Sequence, residues 1–185
     1  MGKLIVSMMT SLDGYIEGPN RELDWTWEGP EFDGYIDDML GRTEAALFGR
    51  VSYEMMVRYW PEAERKPRTP WEGGVARILN RLPKVVLSRT LERAEWPETR
   101  IVRRAEEIRA VKEGAAKDVM VWGGAGVIAA LRELGIIDEY RVIVHPVVLG
   151  GGTPLFTGVK ERFSLRHTKT TRFAMGLDLL YYEPA

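Results

Sequence analysis

The chain has 185 residues, 45% of them hydrophobic and 29% charged, with 26 Lys and Arg set against 27 Asp and Glu. This is the length and balance of one globular domain with a sizeable core, and a net charge of −1 gives no electrostatic case for nucleic acid or an anionic membrane. With no cysteine and only two histidines, disulfides, thiolate metal sites and cysteine nucleophiles are excluded, and no metal centre is expected.

The apolar run after Met1 is too short for a signal peptide or a membrane span, so a soluble cytoplasmic protein is expected. Residues 3–9 read as a buried strand. Asp13-Gly14 and Gly18-Pro19-Asn20 mark an irregular loop reaching Gly29. Pro30 suits a first helical position, with Glu31 and Asp33 behind it, and Phe32, Tyr35, Ile36, Met39 and Leu40 follow at helical spacing. The spacing predicts an amphipathic helix over 31–41. Residues 45–48 form a short strand closed by Gly49, and 51–59 a helix. The charged, proline-bearing stretch 61–74 reads as a surface excursion, followed by a short helix over 75–82 and a strand over 84–88. Ile101-Val102 is a minimal strand, 105–115 a charged helix and 119–122 a strand. A helix over 125–134 carries Val127, Leu131 and Leu134 on one face and ends at Gly135.

The pattern then changes. A strand over 139–148 leads into Leu149-Gly150-Gly151-Gly152-Thr153, and two alternating stretches, 163–172 and 177–183, flank a hairpin turn at Ala174-Met175-Gly176. Alternating strands and helices argue for an α/β fold with a mostly parallel sheet, to which the last third adds antiparallel strands.

Gly124-x-Gly126-x-x-Ala129 fits the loose dinucleotide fingerprint, a weak signal by itself. Either the glycines bring backbone amides and a helix start up to an anion, or they make a tight turn with no ligand. An ordinary Rossmann domain fits poorly, because the motif follows its first strand and needs several further units. Three strand ends look alike: "LFGRVSYE" with Gly49, Arg50 and Ser52; "KVVLSRT" with Ser88 and Arg89; and "VMVWGGAGV" with Gly123, Gly124, Ala125, Gly126 and Val127. Small residues, hydroxyls and guanidinium groups at strand ends suit a phosphorylated cofactor.

These segments carry a resemblance. "FGRVSYE", "LPKVVLSRT" and "VMVWGGAGVI" resemble segments of dihydrofolate reductases, as do "SMMTSLDGYIEG" and "LDWT" near the start. "HPVVLGGGTPLF" and the opening Ser11 to Ile16 resemble more closely the reductase domain of the riboflavin-pathway deaminase-reductases, the RibD C-terminal domain family. The resemblance covers nearly the whole chain, in order. It implies a dihydrofolate reductase-like three-layer α/β/α fold, NADPH, and hydride transfer to a small heterocyclic or ribityl-type substrate. By the same resemblance, Gly49, Arg50 and Ser52 hold phosphates and Ser88 and Arg89 meet the adenosine ribose and its extra phosphate. Gly123 to Val127 cradle the pyrophosphate, Ile16 lies near the nicotinamide, and Trp25 sits on the covering loop.

A hydride acceptor must be polarised or protonated. Asp13 and Asp33 are the candidates: Asp13 is either a substrate-facing carboxylate or half of an Asp-Gly turn, and Asp33 either a heterocycle-binding acid or a first-turn residue facing water. Trp25, Trp27, Phe32 and Tyr35 either line a substrate pocket or form ordinary core. Asp24 precedes Trp25 where folate reductases have proline, which counts against folate itself. The remaining alternatives are a phosphoribosylaminouracil reductase, a pterin reductase and a non-catalytic nucleotide-binding module. The antiparallel strands and the apolar "YRVIVHPVVL" run would support a homodimer.

Overall fold

The computed structural model describes residues 2–27 and 29–185. In chain order its elements are β1 (Leu4–Ser11), β2 (Tyr15–Glu17), α1 (Pro30–Arg42), β3 (Thr43–Gly49), α2 (Arg50–Arg65), α3 (Pro70–Arg81), β4 (Lys84–Leu87) and β5 (Thr99–Val102). They continue with α4 (Glu107–Gly114), β6 (Asp118–Val121), α5 (Ala125–Glu133), β7 (Glu139–His145), β8 (Thr153–Pro154), β9 (Leu165–Arg172) and β10 (Asp178–Pro184). Eight strands form one sheet in the order β5-β4-β3-β6-β1-β7-β10-β9. From β5 to β7 all neighbours are parallel, and β10 is antiparallel to both β7 and β9.

The apolar runs explain this arrangement. Leu4, Ile5 and Val6 are all fully buried, as a strand covered on both faces requires. On one face Leu4, Val6, Val119 and Val121 pack with Ile108 of α4 and with Ile128 and Leu131 of α5. On the other, Ala46, Phe48 and Val86 meet Tyr53 of α2 and Val75 and Leu79 of α3, while Ile5 and Met120 meet Met39 of α1. Each such side chain, fully buried, contributes about 1.5–3 kcal/mol. The result is a three-layer α/β fold with a mostly parallel central sheet and antiparallel C-terminal strands.

Three features depart from the sequence reading. The stretch 61–74 is not an excursion. α2 runs through Pro61 to Arg65, and α3 already begins at Pro70. The helix survives its proline because tertiary contacts hold the far side. Ala63 is buried, and the Asn80 amide donates to the Trp60 carbonyl and the Glu64 carboxylate. Second, β2 and β8 pair inside what read as irregular loops, and the Thr153 hydroxyl donates to Glu17. Third, β7 stops at His145, since Pro146 has no amide to continue the ladder. β7 is also paired on both sides, with Ile143 in the core, so it presents no free strand edge to a second copy.

Candidate active site

The carboxyl ends of the parallel strands share one edge of the sheet. Gly49 lies opposite Leu87 and Leu87 opposite Val102; Leu47 and Val6 both lie opposite Val121, and Ser11 opposite His145. Ligands of open α/β sheets bind at this edge.

The turns after β3 and β6 meet there. A Cβ added to Gly123 would stand 2.5 Å from Ser52 Oγ, and one added to Gly49 would stand 3.0 Å from Val127 Cγ2 and 3.9 Å from Gly124 Cα. Gly123 and Gly124 have φ of 108° and 83°, which side chains rarely adopt. The two helices that start here share a second property. α2 and α5 begin at Gly49 and Gly124 with no side-chain cap and no acid in the first turn. By contrast, the N-cap Thr69 of α3 accepts from the Glu72 amide, and α1 has Glu31 and Asp33 in its first turn. Unsatisfied amides and the positive ends of two helices therefore point into one place, with no acid in either first turn. Arg50, at the first position of α2, stands where a cation costs helix stability; its guanidinium donates to Glu54 at 2.9 and 3.0 Å.

Further along the edge, Ser88 is buried and its hydroxyl accepts from the Thr90 and Leu91 amides, which shapes the turn after β4. Arg89 is exposed beside it. Sequence reasoning missed Arg103, whose guanidinium donates to the Ser88 and Leu91 carbonyls and so braces the same turn. The signal was available, because Arg103-Arg104 follows the minimal strand at 101–102 as Arg50 follows Gly49 and Arg89 follows Ser88.

At the other end of the edge stand β1, β2 and β7. Ile16, on β2, is buried in the core of the α4/α5 face. Asp13 is exposed in the turn after β1; its carboxylate accepts from the amides of Leu149 at 3.1 Å and Gly150 at 2.8 Å. The Ser11 hydroxyl and these amides hold the Asp13 carboxyl below its ordinary value, so it is ionised at neutral pH. Asp33 does not simply face water, since it is half-buried with one carboxylate oxygen shielded from solvent. Trp25 is 8% exposed and meets His145 edge-on at 5.3 Å, and Phe32 is 2% exposed and packs edge-on against Phe173. Of the four aromatic residues expected at a pocket, Trp27 offers the most surface, 42% exposed. Over this end lies the β9–β10 turn: the Ala174 amide donates to Glu31, and Gly176 approaches Trp27. Two shallow hollows of about 620 and 490 Å³ lie away from this edge, one around Thr43, Arg77 and Lys117 and one around Lys3, Lys112 and Asp138. Neither contains any of these groups, and the chemistry of the strand ends is the better guide to the site.

No described helix is long and apolar enough to cross a membrane, and no metal-binding cluster of His and acidic residues occurs among the described residues.

The fold is that of the dihydrofolate reductase-like proteins. The chain superposes on the dihydrofolate reductase of Enterococcus faecalis with a TM-score of 0.66 at 16% identity, over 99% of this chain and 96% of that one. A Shewanella sp. PV-4 protein, provisionally named for riboflavin biosynthesis, matches with a TM-score of 0.77 at 22% identity over 100% and 99% of the two chains. The bifunctional pyrimidine deaminase and 5-amino-6-(5-phosphoribosylamino)uracil reductase of Thermotoga maritima matches with a TM-score of 0.69 at 15% identity, and the chain spans 57% of its length. The family model for the RibD C-terminal domain matches residues 2–179, and the chain belongs to that family. Among its relatives is the uncharacterized protein YyaP of Bacillus subtilis, 34% identical over 97% of this chain and 94% of that protein.

Proposed function

We propose that this chain is an NADPH-dependent reductase that acts on a small heterocyclic or ribityl-type substrate at the carboxyl edge of its sheet. The observation that carries the proposal is the pair of abutting helix starts, both glycine-capped and free of acids, which suits the pyrophosphate of a dinucleotide. In this reading Gly49, Arg50 and Ser52 hold phosphate from one side, and Gly123, Gly124, Ala125, Gly126 and Val127 from the other. Ser88, Arg89 and Arg103 serve the adenosine end, where guanidinium groups suit the extra phosphate of NADPH. Ile16 supports the nicotinamide end. Bound NADPH supplies the hydride. Asp13, already ionised, accepts hydrogen bonds from substrate hydroxyls and orients them. Asp33, half-buried on α1, is the second candidate acid on the substrate side. Trp25 and Phe32 back the substrate side and keep water out.

Calorimetric titration with NADPH and NADP tests the reading. Binding is expected, with at least tenfold weaker affinity in Gly123→Ala, whose new methyl collides with Ser52; no association with either form overturns it. Loss of NADPH absorbance with pyrimidine and pterin substrates then identifies the acceptor, and equal KM for NADPH and NADH removes the cofactor preference. The enclosure of Trp25 and Phe32 favours a second reading, a nucleotide-binding module without turnover, which predicts binding with no absorbance loss on any acceptor. A cytoplasmic homodimer accords with the near-neutral surface and with the exposed Leu12 and Val148 beside the strand ends; a monomer in light scattering rejects the dimer.

A further inference from the structure

We propose that His145 is a positioning residue, a latch that holds the loop bearing Trp25 and Trp27 closed while its ring is neutral and releases it when the ring takes a proton. His145 ends β7 and is 0% exposed. Its Nδ1 lies 3.2 Å from the Ile143 carbonyl, and its Nε2 has no hydrogen-bond partner among the described residues. The Trp25 ring stands edge-on to it at 5.3 Å, perpendicular within a degree or so at 89°. Three elements thus pack on the ring: β7 through Ile143, β1 through Thr10, and the loop through the Trp25 indole and the Trp27 carbonyl.

A neutral imidazole has one N–H, so Nδ1–H donates to Ile143 and Nε2 stays a bare lone pair. A second proton places a full charge in an enclosed site. The carbonyls of Thr10 and Trp27 favour that charge, without a hydrogen bond in good geometry, but burial outweighs them and lowers the ring's affinity for protons. The described titratable groups on and beside these elements are Glu139, Tyr140 and Arg141 on β7, Asp13 just after β1, Arg21, Glu22 and Asp24 in the loop and Asp33 on α1, and none is hydrogen-bonded to the ring. Asp13 holds the Leu149 and Gly150 amides, and Glu22 the Asn20 amide. Among the described residues no carboxylate therefore offsets the imidazolium.

The sign follows. With the loop closed the ring binds protons more weakly than in water, so acid favours the state in which the ring is hydrated. Trp25 and Trp27 belong to the segment without long regular structure that covers the ring, and moving that segment is the cheapest way to admit water. The latch stands apart from the reductase reading; only its consequence, an uncovered substrate side in acid, rests on that reading.

Nuclear magnetic resonance on the full chain without cofactor tests it. His145 and His167 are the only histidines, and His167→Gln assigns their ring signals. The expected result is a His145 midpoint below 6.5, with the Trp25 indole N–H signal moving at the same midpoint and standing still in His145→Gln. A Trp25 signal that ignores the His145 titration, or that still titrates in His145→Gln, overturns the latch. If His145→Gln does not fold, the coincidence of the two midpoints in the wild-type chain decides. Because no nucleotide is present, a failed latch leaves the cofactor reading intact, and failed NADPH binding leaves the latch intact.

Discussion

Single residues carry much of what distinguishes this chain from a generic α/β protein. Lys84 opens β4 and is almost wholly buried, and among the described residues no carboxylate is bonded to it. Its ammonium donates to the carbonyls of Leu79, Asn80 and Leu82 and lies 4.5 Å from the centre of the Trp96 ring. It closes the carboxyl end of α3, whose last carbonyls have no partners in the helix. Lys84→Met is expected to lower stability by about 1–3 kcal/mol, because buried acceptors are left unsatisfied; urea unfolding measures it. Burial pushes the amine down from 10.5 to about 8. Between those values the unfolded chain holds more protons than the folded one, so stability contributed by this residue rises with pH across that window. The rise is expected in the wild-type protein and absent from Lys84→Met. At the candidate site the comparable residue is Asp13. Asp13→Asn keeps the turn but loses the charge facing Leu149 and Gly150. If Asp13 orients substrate, KM is expected to rise at least tenfold with stability nearly unchanged; an unchanged KM assigns Asp13 to the turn alone.

At the scale of elements, the α2–α3 corner shows how local chemistry positions helices. Thr69 caps α3, Pro70 takes its first position, and Glu72 accepts from the Tyr59 hydroxyl and from the Arg68 amide and guanidinium. Thr69→Ala is expected to cost about 1 kcal/mol, the usual value of a lost cap, seen as a lower urea midpoint with an unchanged slope. This corner also marks a limit of sequence reading. Thr69-Pro70-Trp71-Glu72 is a helix-start signature, yet the charges around it and Pro61 before it made the stretch read as an excursion. The buried runs at Leu4, Leu47 and Val119 were legible because a covered strand must be apolar throughout. The pairing of β2 with β8 was not, since two-residue partners from distant loops leave no periodicity. Gly49, Ser52 and Gly123 could be singled out separately as residues suited to phosphate, but their mutual contact is tertiary. Trp25 and Phe32 were legible as aromatic and near the site, not as enclosed, because a core ring and a pocket ring look alike in sequence.

The whole molecule is polarised along its strands. Glycines, hydroxyls and guanidinium groups gather at the carboxyl edge, while ion pairs tie the opposite edge and the antiparallel side. Glu139 opens β7 and accepts from Lys3 at 2.9 Å and from Arg141 at 2.6 Å. Desolvation raises its pKa, but the Arg141 and Lys3 bonds outweigh it and hold the carboxyl below its ordinary value. A carboxylate so held contributes stability above its unfolded pKa and loses that contribution as pH falls through the folded value. Glu139→Gln is therefore expected to flatten the acid limb of the stability profile; urea midpoints from neutral pH downward show this, and an unaltered limb assigns acid sensitivity to other carboxylates. His145 adds to the same limb from a higher pH, because the fold favours its neutral ring. The carboxyl edge should respond differently. Arg103→Met removes a guanidinium at the turn after β4 and is expected to weaken NADPH more than NADH, with the ratio of the two dissociation constants as the readout.

The contact between Ser52 and Gly123 also bears on how the chain matures. That contact cannot form until β3 and β6 have both been made, and β1 pairs with β6 and β7, which come much later in the chain. If these turns bind a dinucleotide as proposed, a nascent chain cannot grip it until the turn after β6 has been made. On that reading nucleotide stabilises only chains that have already brought the turns after β3 and β6 together.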